Sequence, residues 1–129
     1  MGKFKVELIA IDGLLPIECH SKERALFIRK KIEARGSWIR PIIVEKNHRL
    51  VLEGHHRFSA CKAMGFKLVP AMMIDYSDAS IRSLRRSISF TKEEVVANAL
   101  AGKLYPYKTV KHDWNFEVPE IEVALEELK

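Results

Sequence analysis

The sequence predicts an α+β domain: a small sheet flanked by helices, with a helical C-terminal extension. Three observations carry this. Short segments rich in β-branched and aliphatic residues, at 3–11, 41–45, 50–52 and 67–75, are bounded by glycine, proline and polar turns. Between them, apolar residues recur at helical spacing after Ser21 and again after Gly54. Beyond residue 76 the strand-like segments give way to charged, helix-favouring sequence.

In chain order, residues 3–11 alternate and favour a strand. Asp12-Gly13 and Leu15-Pro16 then turn the chain, and the residue before a proline is pushed out of the helical region. Ser21 is a suitable N-cap for a helix that places Ala25, Ile28 and Ile32 on one face and ends at Arg35-Gly36. Residues 41–45 are almost wholly apolar, as in a strand buried on both faces. Residues 46–49 turn it, and Leu50-Val51-Leu52 forms the next strand. Glu53-Gly54 ends that strand. A helix starts at His55 or His56, carries Phe58, Cys61 and Met64 inward, and stops at Gly65. Residues 67–75 make a fourth strand, which Pro70 assigns to an edge or a strand start. Residues 81–88 read as a short helix with Arg82, Arg85 and Arg86 on its surface. Thr91-Lys92-Glu93-Glu94 matches a capping box that opens a helix closed by Gly102. Residues 104–116 read as a long loop, and Pro119 opens a last helix over 120–129. The expected division is a core over 1–76 and an extension over 77–129, packed as one unit.

With 129 residues, one domain is the default. The net charge of +5, from 22 Lys and Arg against 17 Asp and Glu, favours anionic partners such as phosphates and nucleotides. No basic run exceeds Arg29-Lys30-Lys31, so no dedicated DNA-binding arm is visible. No apolar run is long enough to span a bilayer, and the N-terminus lacks the apolar core of an export signal, so a cytoplasmic location is expected. The two cysteines, Cys19 and Cys61, make no disulfide framework in such a chain, and Cys61 reads as core. Cys19-His20 with His55-His56 matches no zinc spacing. Nothing here fixes an oligomeric state.

Chemistry concentrates at Glu53-Gly54-His55-His56-Arg57, where a buried strand passes through one glycine into a helix. Such a junction presents unpaired backbone N–H groups at the positive end of a helix dipole, an anion site. Gly54 allows close approach of a ligand, and Arg57 is suited to bidentate phosphate contact. The same residues equally fit a helix capped by its histidines with a surface arginine beside it.

This segment, followed by Ala60, Ala63, Gly65 and Val69-Pro70, resembles the signature region of the ParB/sulfiredoxin superfamily, in which a similar segment binds nucleotide phosphates. More narrowly, the chain is similar to the free L-serine kinases. The doublet in Gly54-His55-His56-Arg57, Glu18 after the Leu-Pro turn, and Tyr105-Pro106-Tyr107-Lys108-Thr109-Val110-Lys111-His112 carry that likeness. The resemblance implies a small mixed sheet and phosphoryl transfer from ATP or ADP, with Mg²⁺, to the hydroxyl of a small amino acid, most directly L-serine. It implies nucleotide-phosphate binding by Gly54, His55, His56 and Arg57, a catalytic base at Glu18, and acceptor binding by Lys108, Thr109, Lys111 and His112. Glu53 could hold Mg²⁺, which takes one or two carboxylates alongside phosphate oxygens; a strand-end residue bonded to nearby backbone is the plainer alternative. His20 is a second candidate base, and Trp38 and Trp114 could line the pocket, with a core role fitting Trp38 equally. The rival function is a ParB-like, nucleotide-dependent DNA-binding regulator, for which the basic segment 81–88 would be the contact. Sulfiredoxin-like chemistry would need a cysteine where His55 stands, and no carboxylate cluster for a two-metal nuclease is evident.

Overall fold

The computed structural model describes residues 4–129. In chain order its elements are β1 (Val6–Ala10), α1 (Lys22–Arg35), β2 (Ser37–Trp38), β3 (Ile42–Glu45), β4 (Leu50–Glu53), α2 (His55–Ala63), β5 (Leu68–Ile74), β6 (Ser80–Ser83), α3 (Lys92–Leu100), β7 (Val110–Asp113) and β8 (Val123–Ala124). The expected first strand is thus shorter than 3–11, and its Lys3 lies outside the described residues.

The central sheet has the order β1-β5-β3-β4. Strands β1 and β5 are antiparallel, β5 and β3 parallel, β3 and β4 antiparallel, so the sheet is mixed as expected. Alternation along β3 splits the core in two. Ile42 and Val44 pack with Trp38, Val51, Phe58, Cys61 and Val69 on one face. Ile43 packs with Leu50, Leu52, Met72, Ile74, Val95 and Ala99 on the other. Through Phe58 and Cys61, α2 covers the first face; through Val95 and Ala99, α3 covers the second. Strand β3 is therefore fully buried, as its continuous apolar sequence predicts.

Both α1 caps follow the sequence. Ser21 Oγ accepts from the Arg24 N–H, and Gly36 closes the helix in the left-handed conformation. The Thr91–Glu94 capping box of α3 forms in both directions. Two expectations for 77–129 are corrected. Residues 81–88 are not a helix: their first part is β6, paired with β7, and a turn follows. Strand β7 itself lies inside the segment read as a loop. Residues 120–129 are not an α-helix. The Ile121 N–H bonds the Ile39 carbonyl, β8 pairs with β2, and only a 3₁₀ turn, Leu125–Leu128, remains. In each case a non-local strand claims backbone groups that a helix would have used internally.

Strand β5 also corrects the edge assignment, because it is central. Pro70 lies opposite Leu8 of β1, one residue before the parallel ladder with β3 opens at Ala71. A missing N–H is tolerated there, within the β1 pairing but ahead of the β3 ladder.

Candidate functional site

The β4–α2 junction forms one wall of a cleft of about 620 Å³. Gly54 is the helix N-cap at φ 100° and ψ 29°, a conformation that favours glycine, and no side chain caps the helix. The first-turn N–H groups of α2 therefore face the cleft that its own residues line. One turn on, Arg57 Nη1 donates to the Arg40 and Pro41 carbonyls, both at 3.0 Å. Three further guanidinium N–H donors remain. Glu53 lies 3.9 Å from Arg57 Nη2, with its side chain one-third exposed.

The opposite wall comes from distant sequence. Glu18 is bridged to Tyr105, and its Oε2 accepts from the Thr109 N–H at 3.2 Å and the Val110 N–H at 2.9 Å. Lys108, Lys111 and His112 follow on the same wall. Thr109 does not line the cleft. Its hydroxyl is fully buried, donating to the Pro106 carbonyl at 2.6 Å and accepting from Arg85 Nε at 3.0 Å. The structure thus brings Glu18, residues 53–57, Lys108, Lys111 and His112 to one cleft, with Thr109 entering through its main chain. Arg24 and Tyr107 also line it, and sequence reading missed both. Arg24 lies on a helix that exposes many charged side chains, Lys22, Glu23, Lys30, Lys31 and Arg35 among them, and nothing local marks it.

Electrostatics favour an anion. Four cations, Arg24, Arg57, Lys108 and Lys111, line the cleft against two carboxylates, Glu18 and Glu53. Among the described residues no three His, Cys, Asp or Glu converge on a metal-binding point. A larger groove of about 950 Å³, lined by Trp114 and Phe116 among others, has no Lys or Arg among the described residues that line it. Trp38 is in the core.

Each ring of the histidine doublet takes up a main-chain N–H from the opposite wall through one of its nitrogens. His55 Nε2 accepts from the Ile17 N–H at 3.2 Å, and His56 Nε2 accepts from the Ser21 N–H at 3.1 Å. Both rings are therefore neutral with the proton on Nδ1. Burial pushes His55 down to about 3, helped by His112, His56 and His20 nearby. Burial likewise leads in lowering His56 and in pushing His112 to about 4. His112 Nε2 pairs with the Tyr76 hydroxyl at 2.9 Å, while its buried Nδ1 has no hydrogen-bond partner. The Leu52 carbonyl favours protonation of this ring without meeting hydrogen-bond geometry, and burial outweighs it.

The sign of the resulting pH dependence follows. Unfolded histidines titrate at their ordinary 6.5, whereas these folded rings resist protonation. Below 6.5 the unfolded state binds the extra protons, so stability is full above that pH and is lost as pH falls toward 4. The unfolding free energy from urea titrations should fall over this window by about 1.4 kcal/mol per pH unit for each such histidine. In His55→Gln the fall should be shallower by about one proton. Equal slopes for the two proteins would rule out a buried neutral His55.

Comparison with known proteins places this geometry. No family model matches the chain. The chain is 40% identical over 79 residues to an ATP-dependent L-serine kinase of Staphylothermus marinus, covering 58% of this chain and 31% of that protein. It is 31% identical over 83 residues to a ParB-like protein of Sulfolobus acidocaldarius, covering 63% of this chain and 40% of that protein. The matches thus span less than half the length of these relatives. Among solved structures, a free serine kinase in complex with AMP superposes with a TM-score of 0.90 at 16% identity, over 99% of this chain and 95% of the other. The chain has the fold of a free serine kinase. The ParB-like and serine-kinase resemblance is met by relatives of both kinds. Cys61, held in the core with its thiol pushed up to about 12 by burial, is no reactive cysteine. No helix among the described residues is long and apolar enough to cross a membrane.

Proposed function

We propose that this chain transfers a phosphoryl group from ATP or ADP to the hydroxyl of a small free amino acid, with L-serine the leading acceptor and O-phospho-L-serine the product. The observation that carries this reading is the Glu18 carboxylate, fixed by two main-chain N–H groups across one cleft from an uncapped, glycine-started helix. Phosphoryl transfer asks for positioning and charge stabilisation more than for covalent chemistry, and these two walls supply both. The α2 N-terminus and Arg57 take the donor phosphates. Glu18 accepts the hydroxyl proton as the serine oxygen attacks the terminal phosphorus and the bond to the leaving nucleotide breaks. Lys108 and Lys111 hold the acceptor carboxylate, with His112 beside them on the same wall. The similar kinase of Staphylothermus marinus is named as ATP-dependent, and the superposed free serine kinase holds AMP, with a variant of it holding ADP.

Mg²⁺ fits as the accompanying ion. Glu53 offers one carboxylate beside the phosphate wall, which is what Mg²⁺ uses when phosphate oxygens and water complete its shell. When bound, it would neutralise charge developing on the transferred group.

The test is incubation with Mg²⁺, ATP or ADP and a panel of free hydroxy amino acids, followed by mass spectrometry for a phosphorylated product. No product with any acceptor, together with salt-dependent binding to duplex DNA, would replace this reading with the regulator. The basic helix that the regulator would use over 81–88 is instead a strand and a turn. Arg57→Ala should weaken nucleotide binding by about 10- to 100-fold, the worth of lost charge-assisted hydrogen bonds. Calorimetric titration with ADP measures it, and undiminished affinity would remove Arg57 from the phosphate site.

A further inference from the structure

We propose that Arg85 is a positioning residue for the acceptor wall, acting on Glu18 through the 105–109 loop; its catalytic meaning rests on the kinase reading above. Arg85 sits in the bend after β6 and is not among the residues that line the cleft. Its Nε donates to Thr109 Oγ1 at 3.0 Å, and its Nη2 donates to the Tyr107 carbonyl. The turn that carries it is itself locked, with Ser83 Oγ accepting from the Arg85 N–H at 3.1 Å and donating to the Arg85 carbonyl at 2.8 Å. Between the two points that Arg85 grips lies Lys108, at φ 56°. A non-glycine residue in the left-handed region is strained and persists only where its surroundings over-determine it.

That strain has a purpose within the loop. It turns the chain so that the successive Thr109 and Val110 N–H groups converge on Glu18 Oε2. It also leaves Lys108 on the cleft wall. Thr109 couples the two ends of the arrangement. Its hydroxyl receives Arg85 and donates to the Pro106 carbonyl, while its N–H holds the carboxylate. Releasing Arg85 frees the peptide that aims Glu18, without touching the α2 wall.

The first measurement is amide hydrogen exchange by NMR on the wild type, Arg85→Ala and Thr109→Val. Arg85→Ala should speed exchange at Thr109 and Val110 by about tenfold or more while β3 and β5 amides stay protected. Thr109→Val, which removes the same contact from the other partner at similar volume, should do the same at Val110. Unchanged exchange in both variants overturns the proposal whether or not the chain is a kinase. The second measurement is kinetic. With the wild type active, Arg85→Ala should lower kcat for serine by about 10- to 100-fold, the cost of a small misplacement of a reacting group. ADP affinity should be unchanged. Full kcat in Arg85→Ala overturns the positioning role while leaving the kinase reading in place. An inactive wild type overturns the kinase reading and with it the role of Arg85 in catalysis.

Discussion

Glu18→Gln is expected to lower kcat for serine phosphorylation by about two to four orders of magnitude, the usual contribution of a positioned general base. Nucleotide affinity should be unaffected. Glutamine matches glutamate in shape, and its amide oxygen can still accept from the Thr109 and Val110 N–H groups that now hold Oε2. The fold and the loop therefore survive. What changes is the atom left facing the cleft: a carboxylate oxygen that can take a proton becomes an NH₂ that cannot. Steady-state kinetics beside calorimetric titration with ADP separates the two effects. Full turnover in this variant would remove Glu18 from the reaction. His20, whose Nε2 lies 3.0 Å from Ser59 Oγ, would be the next base to test.

The second large effect is on stability. Gly54→Ala should cost about 2–5 kcal/mol, combining backbone strain with overpacking. The residue sits at φ 100°, where an L side chain is strained whatever the space around it. There is also no space. A Cβ would lie 2.6 Å from Ile42 Cγ2, 3.1 Å from Ile42 Cβ and 3.3 Å from Arg57 Nη2. Ile42 is fully buried on β3 and cannot withdraw without opening the core. The urea midpoint of Gly54→Ala should drop accordingly, and nucleotide affinity should drop with it because Arg57 is displaced. An unchanged midpoint would mean that β4 and α2 meet more loosely than described.

The donor wall was legible in the sequence because its parts are contiguous. A strand of Leu50-Val51-Leu52, one glycine and a helix start leave few ways to arrange Glu53 to Arg57, and local rules decide them. The acceptor wall was legible only through likeness, since Glu18 and Val110 meet across 92 positions. The roles of the histidines were not legible at all. Sequence shows an imidazole, not whether its Nε2 accepts from a main-chain N–H supplied by Ile17 or Ser21. A short helix expected over 81–88 makes Arg85 a surface charge. Pairing of β6 with β7 overrides that weak local signal. The C-terminal misreading has the same origin: Glu120 to Leu128 favours a helix locally, yet Ile121 and Val123 find backbone partners at Ile39 and Trp38.

The paired bonds from Ile17 and Ser21 to His55 and His56 have a consequence beyond placement. They lie on either side of Glu18 in sequence, and they end on the first two residues of α2. The two walls of the cleft are thus stitched into one elastic body. A ligand seated on the helix start is expected to act on the loop bearing the carboxylate through these bonds. Linkage makes that influence reciprocal: whatever factor nucleotide exerts on acceptor affinity, acceptor must exert on nucleotide affinity. In this reading the doublet is the seam through which the two substrates sense each other.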